Sequence, residues 1–310
     1  MKKIKLILHF VALILSLSFV QYSYAQSIEE LFPNDDKYTV GLEERVLSAF
    51  KVQKGKSVPV LQLESKKLKD DVAYPISKLS SSNKKATNTI ELYDQKKEAV
   101  FILGRLNHTD PNSGPYAEQI ATAFAISADG LCVTNRHVLS ELLYSSKNVD
   151  SLSKSKDGST YFIQSVDTSV YVIQEVVAYS ASNDLVIFRV NTNGKKLNYI
   201  PLADPAKVGS KVFIIAHPKQ NFYYLSEGIV SKNSVLVNPA NKQQMQYRMT
   251  ISADYAVGSS GGPIMNERGE LVGIVSSTLN INASDNPIIV QMVLKNAISV
   301  YAIQKLLKSN

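Results

Sequence analysis

The stretch Gly258-Ser259-Ser260-Gly261-Gly262-Pro263 sets a hydroxyl among glycines. Its five specified residues arise in register at only about 10⁻⁶ per position on average composition. Gly258 permits a tight turn in which the amides of Gly258 and Ser260 can face one carbonyl oxygen and stabilise an oxyanion. Gly261 and Gly262 permit close backbone approach behind the hydroxyl. Standing alone, the stretch would also read as a Gly/Ser-rich turn. The chemistry it suggests is nucleophilic attack by Ser260 on a carbonyl carbon.

A serine hydroxyl is a weak nucleophile at neutral pH unless a base takes its proton. Three of the four histidines lie beyond the first 25 residues. His108 sits in a polar run with Asn107, Thr109 and Asp110 and reads as a surface-loop residue. His217, in Ala216-His217-Pro218, ends a strand and reads as locally hydrogen-bonded. His137 follows the apolar strand Leu131-Cys132-Val133-Thr134, where an imidazole can be held at the wall of a site. A third group must orient that imidazole and stabilise its charged form, which a carboxylate beside a buried strand does best. Asp184, immediately before Leu185-Val186-Ile187, is so placed, whereas Asp167 and Asp204 lie in polar turns.

The order His137, Asp184, Ser260 discriminates among the scaffolds that carry this chemistry. Gly258-Ser259-Ser260-Gly261-Gly262 also satisfies G-x-S-x-G, but the α/β-hydrolase arrangement needs a histidine after the serine, and none follows His217. Subtilisin order would place the aspartate before the histidine on a parallel α/β scaffold. The chymotrypsin order remains.

The elements that must position these residues are short β-branched and aromatic runs separated by turns, the pattern of an all-β protein. Twelve strands are predicted. Six precede residue 195: 99–106, 122–127, 131–135, 160–165, 169–178 and 185–190. Six follow it, over 211–216, 227–237, 246–252, 262–266, 270–277 and 287–293. Val300, Ile303 and Leu307 mark a closing amphipathic helix. Residues 26–95 are charge-rich and read as an N-terminal extension and linker, with a short helix over 41–50. Pro-segment, partner-binding arm and spacer are all open for it, spacer being the default.

Composition agrees with a globular protein: of 310 residues, 45% are hydrophobic and 20% charged. The single cysteine, Cys132, excludes an intramolecular disulfide and any multi-cysteine metal site. Residues 1–25 read as a signal peptide: Lys2, Lys3 and Lys5 lead, Leu6 to Val20 is apolar, and Ser23-Tyr24-Ala25 supplies a cleavage site after Ala25. The expected location is periplasmic or secreted, with no stable membrane insertion after cleavage. Without those three lysines the net charge falls from +7 to +4. Lys66, Lys67 and Lys69 adjoin Asp70 and Asp71 with no interleaved aromatics, so nucleic acid is not an expected partner.

The sequence resembles the trypsin-like serine peptidases, most closely the bacterial periplasmic branch related to the HtrA/Deg proteases, over about residues 96–308. Four motifs in order carry the resemblance: Ala128 to Val138, Asn183 to Ile187, Val208-Gly209 to Pro218 leading into Glu227 to Ser231, and Gly258 to Pro263 with Gly269 to Ser276. It implies two perpendicular six-stranded antiparallel β-barrels, over 96–193 and 194–310, the second with a C-terminal helix. The catalytic residues His137, Asp184 and Ser260 would then lie in the cleft between them. It implies that Ser276 hydrogen-bonds the aspartate, and that Asp254, Ser276 and Thr278 belong to the substrate pocket. Asp254 there favours a cationic side chain, whereas Thr278 shortens the site toward small or medium apolar residues, the favoured reading. Ser259 stands where trypsins carry the aspartate that pairs with a new N-terminus, so that activation device is absent. A following PDZ domain is not expected, because a strand and a helix use the residues after Ser277.

The expected function is an exported serine endopeptidase acting on protein or peptide substrates, with Gly258 and Ser260 amides as oxyanion hole and no metal or cofactor. The alternatives are a protease-like binding or chaperone module that keeps the fold without catalysis, and an esterase using the same triad.

Overall fold

The structure, a computed structural model, describes residues 31–76, 85–107, 114–143, 159–238, 241–283 and 289–309. The expected signal peptide and His108 lie outside these residues. A single helical turn over Asp36–Thr39 belongs to a separate N-terminal unit that ends at Val40.

From Gly41 onward, three helices are named α1 (Leu42–Val52), α2 (Val58–Ser65) and α3 (Thr89–Lys96), and the strand between α2 and α3 is β1 (Tyr74–Ile76). Six strands follow: β2 (Val100–Asn107), β3 (Tyr116–Ala125), β4 (Leu131–Asn135), β5 (Thr160–Gln164), β6 (Val170–Ser180) and β7 (Leu185–Val190). They close into an antiparallel barrel in the order β2-β3-β4-β7-β6-β5. A second set comprises β8 (Lys211–Ala216), β9 (Tyr224–Asn238), β10 (Asn241–Ile251), β11 (Pro263–Met265), β12 (Leu271–Asn282) and β13 (Val290–Ser299). These close in the order β10-β13-β12-β11-β8-β9. The chain ends with α4 (Val300–Leu306) and β14 (Leu307–Ser309).

All twelve predicted strands are present, and closure removes the exposed edges that open sheets must protect. Phe101, Leu103, Cys132, Ile163 and Phe188 fill the first barrel. Val212, Ile214, Met249, Ile251, Val275 and Ala297 fill the second. The largest boundary differences are at β3, which starts at Tyr116 rather than 122, and at β13, which runs to Ser299 rather than stopping at 293. The register of β13, in the second barrel, explains its end: Lys295 to Ser299 pair with Thr278 back to Gly273, so the buried half of the strand is the part beyond the predicted end. Ser299 then caps α4, its Oγ accepting from the amide of Tyr301 at 3.4 Å.

The helices α1 and α2 are built onto the first barrel. Leu42 and Val46 of α1 pack on Leu106, Phe162 and Val170, and Val58 and Leu61 of α2 join the barrel core itself. Gln53, at the end of α1, docks on β6: its Nε2 donates to the carbonyl of Val170 at 2.8 Å and its Oε1 accepts from the amide of Val172 at 2.9 Å. The helix expected over 41–50 is α1. α2, within the predicted linker, forms because Val58 and Leu61, too few to show as periodicity, find the barrel core. β1 pairs in parallel with β14, Tyr74 opposite Leu307.

Candidate active site

β4 and β7 are neighbours, with Asn135 opposite Leu185. His137 lies two residues beyond the end of β4 and Asp184 one before the start of β7, so strand pairing alone brings them together. Asp184 has a left-handed backbone, φ +55°, which a short polar side chain tolerates best among non-glycine residues. Its carbonyl accepts from the amide of Arg136 at 2.9 Å and from Nδ2 of Asn135 at 3.2 Å. Its carboxylate takes two hydrogen bonds from His137, Oδ1 from the backbone amide at 2.9 Å and Oδ2 from ring Nδ1 at 2.8 Å. With Nδ1 donating to a carboxylate, Nε2 of the neutral ring is the acceptor. The imidazole side chain is 52% exposed, so an incoming group can reach it.

The Ser260 loop hangs from the second barrel but is fastened to the first. Thr122, on β3, donates its amide to the carbonyl of Ser260 at 3.0 Å and its Oγ1 to the carbonyl of Gly258 at 2.9 Å. Thr134, on the strand leading to His137, donates Oγ1 to the carbonyl of Thr122 at 2.8 Å. Gly258 and Gly261 take φ +96° and +81°, and the carbonyl of His217 would lie 2.5 Å from a β-carbon at Gly258. Within the loop, the amides of Ser259, Gly261 and Gly262 donate to Ala256, Val275 and Ser259 carbonyls. Those of Gly258 and Ser260 donate to no acceptor among the described residues. Two amides in one turn are thus uncommitted among the described residues.

Asp254 and Ser276 line a cavity of 910 Å³ together with Arg248, Lys295, Asn296 and Leu279. The Asp254 side chain is 82% exposed and faces Lys295, Nζ to Oδ1 3.5 Å. That ammonium is itself held, donating to the carbonyl of Tyr255 at 2.7 Å and lying 5.1 Å from the centre of the Tyr255 ring. Thr278 is exposed opposite Lys295 in the β12–β13 pair and is not among the residues lining the cavity. Ser276, partly buried at a bulge in that pair, makes no hydrogen bond to Asp184 among the described residues, whose carboxylate is served by His137.

Sequence reasoning missed Arg248, Lys295, Thr122 and Thr134, because each acts through a strand pairing or barrel contact with no local pattern. His217 was read as locally bonded and is: its buried Nδ1 accepts from the amide of Tyr223 at 3.0 Å. Desolvation pulls its pKa down from 6.5 to about 3, so it is neutral near pH 7. Cys132 is buried in the first core, and burial pushes its thiol pKa up, which leaves it an inert packing residue.

Comparisons with known proteins follow the same outline. A family model described as the trypsin-like peptidase domain matches residues 121–274, a span that contains His137, Asp184 and Ser260. "Protease Do-like 5, chloroplastic" of Arabidopsis thaliana is 25% identical over 178 residues, 57% of this chain and 53% of that protein. "Probable periplasmic serine endoprotease DegP-like" of Pseudomonas putida (strain GB-1) is 30% identical over 165 residues, 52% of this chain and 29% of that protein. Among solved structures, the HtrA-type protease AlgW with a decapeptide superposes with a TM-score of 0.52 at 17% identity, over 71% of this chain and 66% of that one. The chain thus spans about half the length of one curated relative and under a third of the other. With two six-stranded antiparallel barrels and a family model that matches from β3 into β12, residues 121–274 are a trypsin-like peptidase domain.

Proposed function

We propose that this chain is an exported serine endopeptidase in which His137, Asp184 and Ser260 form the catalytic triad. The observation that carries the reading is the two-point hydrogen bond between His137 and Asp184, which leaves Nε2 as a base, beside a serine loop with two uncommitted amides. Nε2 takes the Ser260 proton as Oγ attacks the peptide carbonyl carbon, and the carbonyl π electrons move to oxygen. The amides of Gly258 and Ser260 hold that oxyanion, a contribution of about 3 kcal/mol per donor in comparable sites. The imidazolium, stabilised by Asp184, then protonates the leaving amine as the C–N bond breaks. Water, deprotonated by the same Nε2, adds to the acyl carbon; as the bond to Oγ breaks, the imidazolium returns the proton to Ser260 Oγ.

The substrate is an extended peptide whose side chains enter the cavity at Asp254 and Ser276. The barrels are taken to be 96–193 and 194–310, and residues 1–25 to direct export with cleavage after Ala25. The periplasmic designation of the DegP-like relative supports that address.

The test is active-site labelling of the protein from Gln26 to Asn310 with a fluorophosphonate and mass mapping of the adduct. The expected adduct is on Ser260, absent in Ser260→Ala and His137→Ala, together with casein hydrolysis. No adduct on a folded protein would make the chain a non-catalytic member of the family, and ester cleavage without casein cleavage would make it an esterase.

A further inference from the structure

The side chain of Arg248 reaches from the second barrel to the turn that carries Asp184. It lies on β10, whose pairing with β13 sets Arg248 opposite Ile298 and on the outer face with Thr250. Its Nη2 donates to the carbonyl of Ser182 at 3.1 Å and its Nη1 to the carbonyl of Asn183 at 3.3 Å. Nη2 also donates to Oε1 of Gln246 at 2.9 Å, two residues back on the same strand. Ser182 and Asn183 are the two residues before Asp184, and Asp184 holds a left-handed backbone that the surroundings must maintain.

The other restraints on this turn come from the first barrel and from the segment after α2, where Asp70 Oδ1 accepts from the amide of Ala181 at 2.7 Å and Asp71 Oδ2 from Ser182 Oγ at 3.4 Å. Asn135 and Arg136 bind the Asp184 carbonyl, and Ser180 Oγ accepts from the amide and Nδ2 of Asn183. The guanidinium is the one restraint described on Ser182 and Asn183 from across the barrel junction. Its planar fork suits two adjacent carbonyls as a lysine ammonium does not. The Asp184 carboxylate is felt at the guanidinium: burial pulls the Arg248 pKa down, and that carboxylate offsets part of the fall.

We infer that Arg248 is a positioning residue that clamps the Ser182-Asn183 backbone and thereby sets the direction of the Asp184 carboxylate toward His137. Because it also lines the cavity at Asp254 and Ser276, one side chain joins the proposed substrate groove to the acid of the proposed triad. The inference rests on the triad reading for its kinetic consequence but not for its structural one. No catalytic step passes through Arg248. It holds the acceptor that fixes the imidazole tautomer.

The experiment uses the chain from Gln26 to Asn310 labelled with ¹⁵N-histidine, as wild type, Arg248→Met, Arg248→Lys and, for assignment, His137→Ala. Three quantities are measured: the downfield Nδ1 proton resonance of His137, the rate of fluorophosphonate labelling at Ser260, and the unfolding temperature. The small probe does not fill the groove, so its rate separates positioning from lost substrate contacts. In Arg248→Met the resonance broadens or vanishes and labelling slows about tenfold or more, a loss specific to the assembled triad. Arg248→Lys, which keeps the charge but offers one nitrogen in place of a planar fork, shows a weakened resonance and labels at an intermediate rate. If Arg248→Met fails to fold, the lysine variant carries the test, with a weakened resonance expected.

A folded Arg248→Met with wild-type resonance and labelling rate overturns the inference, as does Arg248→Lys indistinguishable from wild type when Met does not fold. A wild type that shows the resonance, loses it in Arg248→Met and never labels would sink the peptidase reading and leave the clamp standing. A wild type without the resonance would overturn both.

Discussion

A β-carbon on Gly261 would lie 2.1 Å from Oγ1 of Thr134, so the loop bearing Ser260 and the strand leading to His137 touch with no room between them. Thr122 completes the contact, its carbonyl 2.4 Å from the same point. Gly261 also needs φ +81°. Gly261→Ala should therefore push the serine loop off β3 and β4. The expected result is a loss of labelling of about 100-fold or more with destabilisation of about 1–3 kcal/mol. Labelling rate and urea unfolding, measured together, check it.

Asp184→Asn removes the acceptor that fixes Nδ1–H. The amide can present its NH₂ to the ring and favour the tautomer with the proton on Nε2. A fall in kcat of about 10³–10⁴-fold with little change in unfolding temperature is expected. Turnover of a peptide substrate alongside calorimetry would reveal it.

Lys295 bears on specificity. Its ammonium sits 3.5 Å from the Asp254 carboxylate and is pinned by the Tyr255 carbonyl, which blunts any preference for cationic side chains. Lys295→Met should free that carboxylate. Profiling against a peptide library should then show cleavage after Lys and Arg rising about tenfold relative to wild type. An unchanged profile would separate Asp254 from substrate selection.

His217 predicts a pH dependence of stability. Its pKa is depressed in the folded state, from 6.5 to about 3, so the contribution is full above about pH 6.5 and is lost as the pH falls toward 3. Linkage over that span bounds the loss at about 5 kcal/mol. His217→Asn, whose Oδ1 can accept from the Tyr223 amide in place of Nδ1, should flatten the decline between pH 6.5 and 4. Thermal melts across that range test it.

Leu61 is fully buried in the first barrel although it lies in the charge-rich segment. Leu61→Ala is expected to cost about 2–5 kcal/mol. A chain shortened to begin near Lys96 should likewise be less stable, because it loses the α1 and α2 contacts with the first barrel. Denaturant unfolding of both variants decides this.

The barrel strands and the His137–Asp184 pair were legible in the sequence for a common reason. Each depends on local pattern: alternating burial for strands such as Leu185–Val190, and a polar residue at the end of an apolar run for the pair. The docking of α1 and α2 was not legible, since the few apolar residues that anchor them find partners far along the chain, Leu42 on Phe162 for example. The pocket was read least well. Asp254, a lone acid favouring a cation, stood against Thr278, which favoured apolar residues; the partner of Asp254, Lys295, arrives from β13, and Thr278, placed in the wall by resemblance, is absent from the cavity lining.

The parallel pairing of β1 with β14 has a kinetic side. Tyr74 meets Leu307 only after both barrels have intervened, one of the longest-range contacts this topology offers. Contacts so far apart in sequence carry a large loop-closure entropy and form late. A chain threaded or synthesised from its N-terminus cannot close this clasp until Leu307 has emerged. β1 therefore stays unpaired until β14 arrives, and the clasp records that folding is finished.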